Sequence, residues 1–79
     1  MTKILAQELA PRIRVNAIAP GAILAPSSAG PDYERRIVER IPLGRMGRPD
    51  DICAALLYLV QNDFVTGQVL CVTGGEELE

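Results

Sequence analysis

Apolar residues recur at helical spacing in three segments of the chain, residues 2–10, 32–41 and 49–62. Pro11 ends the first segment, because a residue that precedes proline is driven out of the helical backbone region. Pro49 suits the first position of the third helix, where no backbone N–H is needed. The third segment is apolar around most of its circumference. We therefore expect neighbouring elements to cover that helix on two sides.

Two further segments, residues 13–19 and 68–73, have the pattern of buried strands. A strand, a helical crossover and a second strand form a βαβ unit, so the two strands should be adjacent and parallel. The run Val69–Val72 is apolar on both faces, which predicts a strand covered on both sides. The pattern thus predicts an α/β fold with two parallel strands, in the order helix tail, strand, short helix, helix, strand. We assign residues 1–79 to one incomplete domain.

Asn16 and two cysteines within these apolar segments are candidates for a polar or redox function. Asn16 on an apolar strand is expected to bond neighbouring backbone, the alternative being a contact with substrate. Cys53 and Cys71 lack the CxxC spacing of metal and redox sites. They are expected to be buried reduced thiols, with an intermolecular or engineered disulfide as the alternative.

Composition excludes several classes of function. The chain has 48% apolar residues, a net charge of −2 and no histidine, so it lacks the commonest metal ligand and general base. We predict no metal site and no nucleic-acid binding, since acidic residues interleave with the arginines of residues 32–48. No apolar run approaches the roughly 20 residues that span a bilayer, and no signal peptide is evident. We expect a cytoplasmic protein without membrane contact.

Three ordered motifs carry a family resemblance. They are the strand and turn Arg14–Gly21 (RVNAIAPG), the helix opening Arg45–Ile52 (RMGRPDDI) and the ending Val65–Gly75 (VTGQVLCVTGG). Together they resemble the late portion of a short-chain dehydrogenase/reductase. The form Pro-Gly-Ala-Ile-Leu-x-Pro after the strand is similar to the pteridine-reductase-like branch. The resemblance implies the C-terminal part of a Rossmann-like doubly wound fold.

The resemblance also assigns roles to residues. It implies contacts with the nicotinamide end of NAD or NADP from Pro20, Gly21, Ala22 and Ile23. It implies a substrate loop that contains Leu24, Ala25 and Pro26, in which Ala25 replaces a threonine that many members use to hold the cofactor. It implies an oligomer surface that contains Leu57, Tyr58, Val69 and Cys71, and hence a homodimer or larger homo-oligomer.

Two features of the resembled family have no counterpart in these 79 residues. No glycine-rich turn joins a strand to a helix, and no tyrosine is followed by lysine four residues later, since Ile37 follows Tyr33 and Asn62 follows Tyr58. We therefore expect a C-terminal fragment of an NAD(P)-dependent oxidoreductase that has no catalytic residue, is inactive alone and binds no cofactor tightly. The alternative is a non-catalytic self-association module derived from that family.

Overall fold

The computed structural model describes residues 1–23 and 28–76, and its elements follow the predicted order. Over these residues the elements are α1 (Thr2–Leu9), β1 (Ala17–Pro20), α2 (Tyr33–Arg40), α3 (Pro49–Gln61) and β2 (Val69–Val72). The predicted α/β class is thereby confirmed. The predicted substrate-loop residues Leu24, Ala25 and Pro26 lie outside the described residues.

Strands β1 and β2 form a parallel two-stranded sheet, as predicted. The register pairs Ala17 with Val69 at one end and Pro20 with Val72 at the other. Helix α3, which belongs to the crossover between the strands, contacts both of them. The carboxyl ends of the two strands therefore lie side by side at one edge of the sheet.

Strand β1 begins later than the predicted range of 13–19, because the preceding backbone bonds to a turn rather than to a strand. Val15 donates its N–H to Thr66 Oγ1 at 3.1 Å, and the Val15 carbonyl accepts the Gly67 N–H at 2.8 Å. The Thr66 hydroxyl thus accepts the bond that a strand carbonyl would accept in a regular sheet. Regular pairing starts only where the turn has ended.

Asn16 joins the beginnings of the two strands, which confirms the structural role predicted for it. Its Nδ2 donates to the Val65 carbonyl at 3.0 Å, and its Oδ1 accepts the Gln68 N–H at 3.0 Å. Both bonds go to backbone groups that lie just before β2. The side chain therefore adds two bonds to a turn that is also joined to the β1 segment by backbone hydrogen bonds.

Helix α2 is amphipathic as its sequence predicts. Tyr33, Ile37 and Val38 are half-buried, and Ile41 just after the helix is 4% exposed. The opposite side is charged and open to solvent. Arg35 forms an ion pair with Asp32 at 3.4 Å, and both side chains are largely exposed, so the pair adds little stability.

Helix α3 is covered on one side only, so the expected two-sided cover is wrong for this chain. Ala55 and Leu59 face the sheet and are buried. The large apolar side chains that remain exposed are Leu56, Leu57, Tyr58 and Val60. Helix α3 is the longest of the three described helices, with 13 residues. Within the described part of the chain, no helix is long and apolar enough to cross a membrane.

Strand β2 is covered on one face, which corrects the prediction of a strand buried on both. Its exposure alternates, with Val69 and Cys71 exposed and Leu70 and Val72 half-buried. Cys53 is exposed as well, so the expected burial of both thiols is also wrong. The physical reason is that α3 supplies cover on a single side of the sheet.

Candidate functional site

The predicted nicotinamide-side turn lies directly after β1, at the carboxyl ends of both strands. Gly21 donates its N–H to the Val72 carbonyl at 3.0 Å, which carries the ladder one residue beyond the strand. The turn is thereby fixed to the end of β2. In open α/β sheets, ligands bind in the crevice outside the carboxyl ends of the strands. The fold thus places Pro20–Ile23 where such a crevice forms.

Gly21 is required by a close approach of backbone. A Cβ at this position would lie 2.9 Å from Thr73 Cα and 2.9 Å from Glu76 Oε1. The Thr73 Cα belongs to the main chain after β2, so it cannot move aside cheaply. A glycine at the end of β1 thus lets the two strand exits touch.

We predict that Gly21→Ala lowers the free energy of unfolding by about 1–3 kcal/mol, because the new methyl group must displace main chain. Gly30→Ala is the matched control, since a Cβ there would meet nothing within 4 Å. Urea unfolding followed by circular dichroism measures both variants. Equal midpoints for the two variants would contradict this account of Gly21.

Ala22 is held from two sides. Its N–H donates to Glu76 Oε1 at 3.2 Å, and its carbonyl accepts the Gly47 N–H at 2.9 Å. The side chain of Ile23 lies against the Cα of Gly47. The turn is thus joined both to the end of the chain after β2 and to the loop that leads into α3. Sequence reasoning missed Glu76, because 54 positions separate it from Ala22 and no pattern links them.

The Gly-Gly exit of β2 forms the other side of the crevice. Gly74 and Gly75 have φ values of 66° and 94°, in the left-handed region that favours glycine. The Gly74 carbonyl accepts the Leu43 N–H at 3.1 Å, and the Gly75 N–H donates to Thr73 Oγ1 at 3.3 Å. This exit turn therefore anchors the segment between α2 and α3.

The loop before α3 is fixed by a guanidinium and a carboxylate. Arg45 Nη1 lies 3.0 Å from Asp51 Oδ2, and Arg45 Nη2 lies 3.3 Å from Asp51 Oδ1. The Arg48 N–H donates to the same carboxylate at 2.7 Å. Pro49 opens the helix, and Asp50 and Asp51 lie in its first turn, as predicted.

These bonds lower the pKa of Asp51 to about 2, chiefly through the Arg45 hydrogen bond and next through the Arg48 N–H. Because the pKa is depressed in the folded chain, the carboxylate contributes stability above its ordinary value of 3.8. That contribution is lost as the pH falls through about 2. The Asp51 carboxylate is therefore ionised throughout the neutral range.

A cleft of about 340 Å³ lies between the turn after β1, the exit of β2 and the start of α3. Its wall includes Ala22, Ile23, Arg45, Gly47 and Thr73. The rest of the wall is mainly backbone and apolar side chains, with the Asp51 carboxylate paired to Arg45 and the Cys71 thiol also present. In residues 1–23 and 28–76 no group of three His, Cys, Asp or Glu side chains could hold a metal ion.

The predicted oligomer residues are all exposed, but they form two separate patches. Leu57 and Tyr58 are 56% and 51% exposed on the outer side of α3. Val69 and Cys71 alternate with the residues of β2 that face α3, so they lie on the opposite face of the sheet. The structure therefore does not bring the four predicted residues together in one surface.

Comparison with known proteins identifies the origin of this arrangement. Residues 1–77 match a family model described as enoyl-(acyl carrier protein) reductase. The chain is 44% identical over 81 residues to the granaticin polyketide synthase putative ketoacyl reductase 2 of Streptomyces violaceoruber, covering 98% of this chain and 32% of that protein. It is 46% identical over 80 residues to the 3-oxoacyl-(acyl-carrier-protein) reductase FabG of Thermotoga maritima. That match covers 95% of this chain and 32% of the Thermotoga protein.

A solved structure agrees with these relatives. FolM alternative dihydrofolate reductase 1 of Brucella canis, complexed with NADP, is 43% identical and superposes with a TM-score of 0.86 over 99% of this chain and 31% of its own. The chain belongs to the short-chain dehydrogenase/reductase family. This confirms the resemblance carried by the three motifs.

As a short-chain dehydrogenase/reductase, the chain spans about one third of the length of the relatives it matches. Its backbone nevertheless follows theirs closely over that third, as the TM-score of 0.86 shows. The Rossmann-like assignment is thereby confirmed. The narrower pteridine-reductase-like assignment stays a prediction, because both carrier-protein reductases and a dihydrofolate reductase are among the relatives.

Proposed function

We propose that this chain forms the nicotinamide-side wall, the substrate loop and part of the subunit interface of an NAD(P)-dependent oxidoreductase. The observation that carries the proposal is the turn Pro20–Ile23, which is fixed at the carboxyl ends of two parallel strands. Gly21 there lets the two strand exits touch, because a Cβ at this position would collide with Thr73 and Glu76. The related Brucella structure is a complex with NADP.

The described residues fit the nicotinamide end of such a cofactor by shape. Gly21 and Ala22 present main chain without large side chains, so a flat ring can approach them closely. A bound nicotinamide would supply the hydride. The residues of this chain would hold the ring and exclude water, since neither tyrosine has the lysine partner four residues on. Leu24, Ala25 and Pro26 are proposed to contact the substrate.

A chimera tests this function. The segment of the Thermotoga maritima reductase that aligns with this chain is replaced by residues 1–77, and reduction of a 3-oxoacyl substrate is measured with NADPH supplied as the reductant. We expect kcat/KM within about tenfold of the parent enzyme, which corresponds to less than about 1.4 kcal/mol of transition-state stabilisation. A chimera that is folded and has the parent's oligomeric state but does not oxidise NADPH would overturn the proposal.

The matched control is the same chimera with Gly21→Ala. Displacement of the turn by even about 1 Å can cost roughly 100-fold in rate, so this variant should lose most of the activity. The Gly30→Ala chimera should keep it, because position 30 is open. Together the two variants show whether a loss of activity comes from displacement of the turn or from any change of glycine to alanine.

A second candidate function is self-association, and we propose a homodimer or larger homo-oligomer. Leu57, Tyr58 and Val60 form an exposed apolar surface on α3, and the other edge of β2 has no strand beside it among the described elements. Apolar surface and unpaired strand edges both favour association. A symmetric dimer around the edge of β2 would cover both.

We predict that Leu57→Arg and Tyr58→Arg each raise the dimer dissociation constant at least about tenfold, because each buries a charge in an apolar contact. Glu39→Arg on exposed α2 should leave the constant unchanged. Sedimentation velocity over a range of protein concentrations measures all three. A folded monomer for the unsubstituted chain at high concentration would exclude this interface.

We also propose the cytoplasm as the compartment. Both cysteines of the chain are free and exposed, and such thiols persist in a reducing compartment. The proposed NAD(P)-linked chemistry is compatible with that setting.

A further inference from the structure

A second groove lies on the α2 side of the turn after β1. It has a volume of about 410 Å³ and is lined by Pro20, Gly21, Ala22, Tyr33, Ile37 and Glu76, with Thr73 at its edge. Three of these residues give it an apolar wall, and one of the three is aromatic. The turn that we propose to face the nicotinamide forms its floor.

Glu76 brings one negative charge to this groove. Its Oε1 accepts the Ala22 N–H at 3.2 Å and lies against Gly21, so the carboxylate is held at the turn. Among residues 1–23 and 28–76 the ion pairs are Arg35 with Asp32 and Arg45 with Asp51, and neither involves Glu76. The carboxylate therefore faces the groove without a cationic partner in the described part of the chain.

This combination of groups selects for one class of ligand. Tyr33 and Glu76 both line the groove, and an aromatic ring and a carboxylate each attract a cation that lies close to them. Ile37 and Pro20 add apolar surface that an aromatic ring can contact. A flat organic cation satisfies all three surfaces, whereas a neutral ring of the same shape gains only the apolar contact.

We propose that Glu76 is a specificity-determining residue that makes this groove prefer a pyridinium cation, and thus the oxidised over the reduced nicotinamide ring. The inference rests on the proposed function, since it assigns the groove to the nicotinamide end of the cofactor. The carboxylate has two tasks in this arrangement. One oxygen holds the turn through Ala22, and the charge of the group favours the oxidised ring.

The size of the preference follows from Coulomb attraction in a groove open to water. Two unit charges about 5 Å apart at an effective dielectric constant near 70 attract by about 1 kcal/mol, which corresponds to about a five-fold difference in dissociation constant. The effect should weaken with added salt, because an open groove is screened by ions.

The test compares 1-methylnicotinamide, a cation, with nicotinamide, which is neutral and has the same ring. Each is titrated into the 79-residue chain, and the backbone amide resonances of Gly21 and Ala22 are followed by NMR. We expect millimolar binding with the dissociation constant of the cation about five-fold lower. In Glu76→Gln, which keeps an acceptor for the Ala22 N–H, the two rings should bind equally.

Glu39→Gln is the matched control, because it removes one negative charge from the exposed side of α2 and should leave the preference intact. Raising the sodium chloride concentration in the unsubstituted chain is a second measurement that needs no variant, and it should shrink the preference. Equal binding of the two rings, an undiminished preference in Glu76→Gln, or no shift of the turn by either ring would each overturn the inference. Activity of the chimera reports on the proposed function separately from these outcomes.

Discussion

The purified 79-residue chain is expected to show no hydride transfer from NADPH to a ketone above the rate of a protein-free control. The reason lies in its residues. Neither Tyr33 nor Tyr58 has a lysine four positions later, and the chain has no histidine to replace them as an acid. Transfer of a proton from a positioned acid contributes about 10²–10⁴-fold to such reactions. Loss of NADPH absorbance measures the rate.

The active chimera is the positive control in the same assay, and a mock purification from cells without the gene detects contaminating host enzyme. Steady-state turnover by the pure chain above both controls would show that this chain contains a proton donor of its own. Binding of NADPH with a micromolar dissociation constant would likewise show that residues of this chain hold the phosphate groups.

Arg14→Ala is expected to cause a large loss of stability. The Arg14 guanidinium donates to the carbonyls of Leu59 at 2.7 Å, Val60 at 3.1 Å and Val65 at 3.3 Å. Two of these carbonyls belong to the last turns of α3, where helix carbonyls lack partners and a cation is favourable. Hydrogen bonds to charged groups contribute about 1.5–3 kcal/mol, so we expect a loss of about 2–3 kcal/mol.

Arg14→Lys separates the charge from the geometry. An ammonium group keeps the positive charge near the end of α3 but cannot reach three carbonyls with one planar fork, so about half of the loss should remain. Thermal unfolding followed by circular dichroism measures both variants. A melting temperature for Arg14→Ala within error of the unsubstituted chain would show that water replaces the guanidinium at no cost.

The elements of the fold could be predicted because their signals are local. Pro11 and Pro49 limit helices by the geometry of their own rings, and residues 49–62 indicate a helix by their spacing. The βαβ rule then predicts parallel strands without knowledge of any contact. It was harder to predict which faces of these elements are buried by their neighbours. An apolar pattern shows that Val69 could be buried but not whether an element is present to bury it.

The candidate site was predictable in part for the same reason. The Pro20-Gly21 turn has a sequence signature, and Asn16 is conspicuous as an amide on an apolar strand. The functions of Glu76 and Arg14 depend on partners 54 and 45 positions away. Neither residue lies in a pattern that marks those partners. Such contacts become visible only when the fold has brought the two ends of the crossover together.

The parallel pairing of β1 and β2 also has a kinetic consequence. Ala17 and Val69 are 52 positions apart, so the sheet closes a loop that contains α2 and α3. Closing a loop of that size costs about 3.5 kcal/mol in chain entropy before any ladder bond forms. The helices depend on contacts between residues close in sequence and can form early, whereas the sheet forms only after this long loop has closed. Until then both strands and the apolar side of α3 are open to other chains, and aggregation competes with folding.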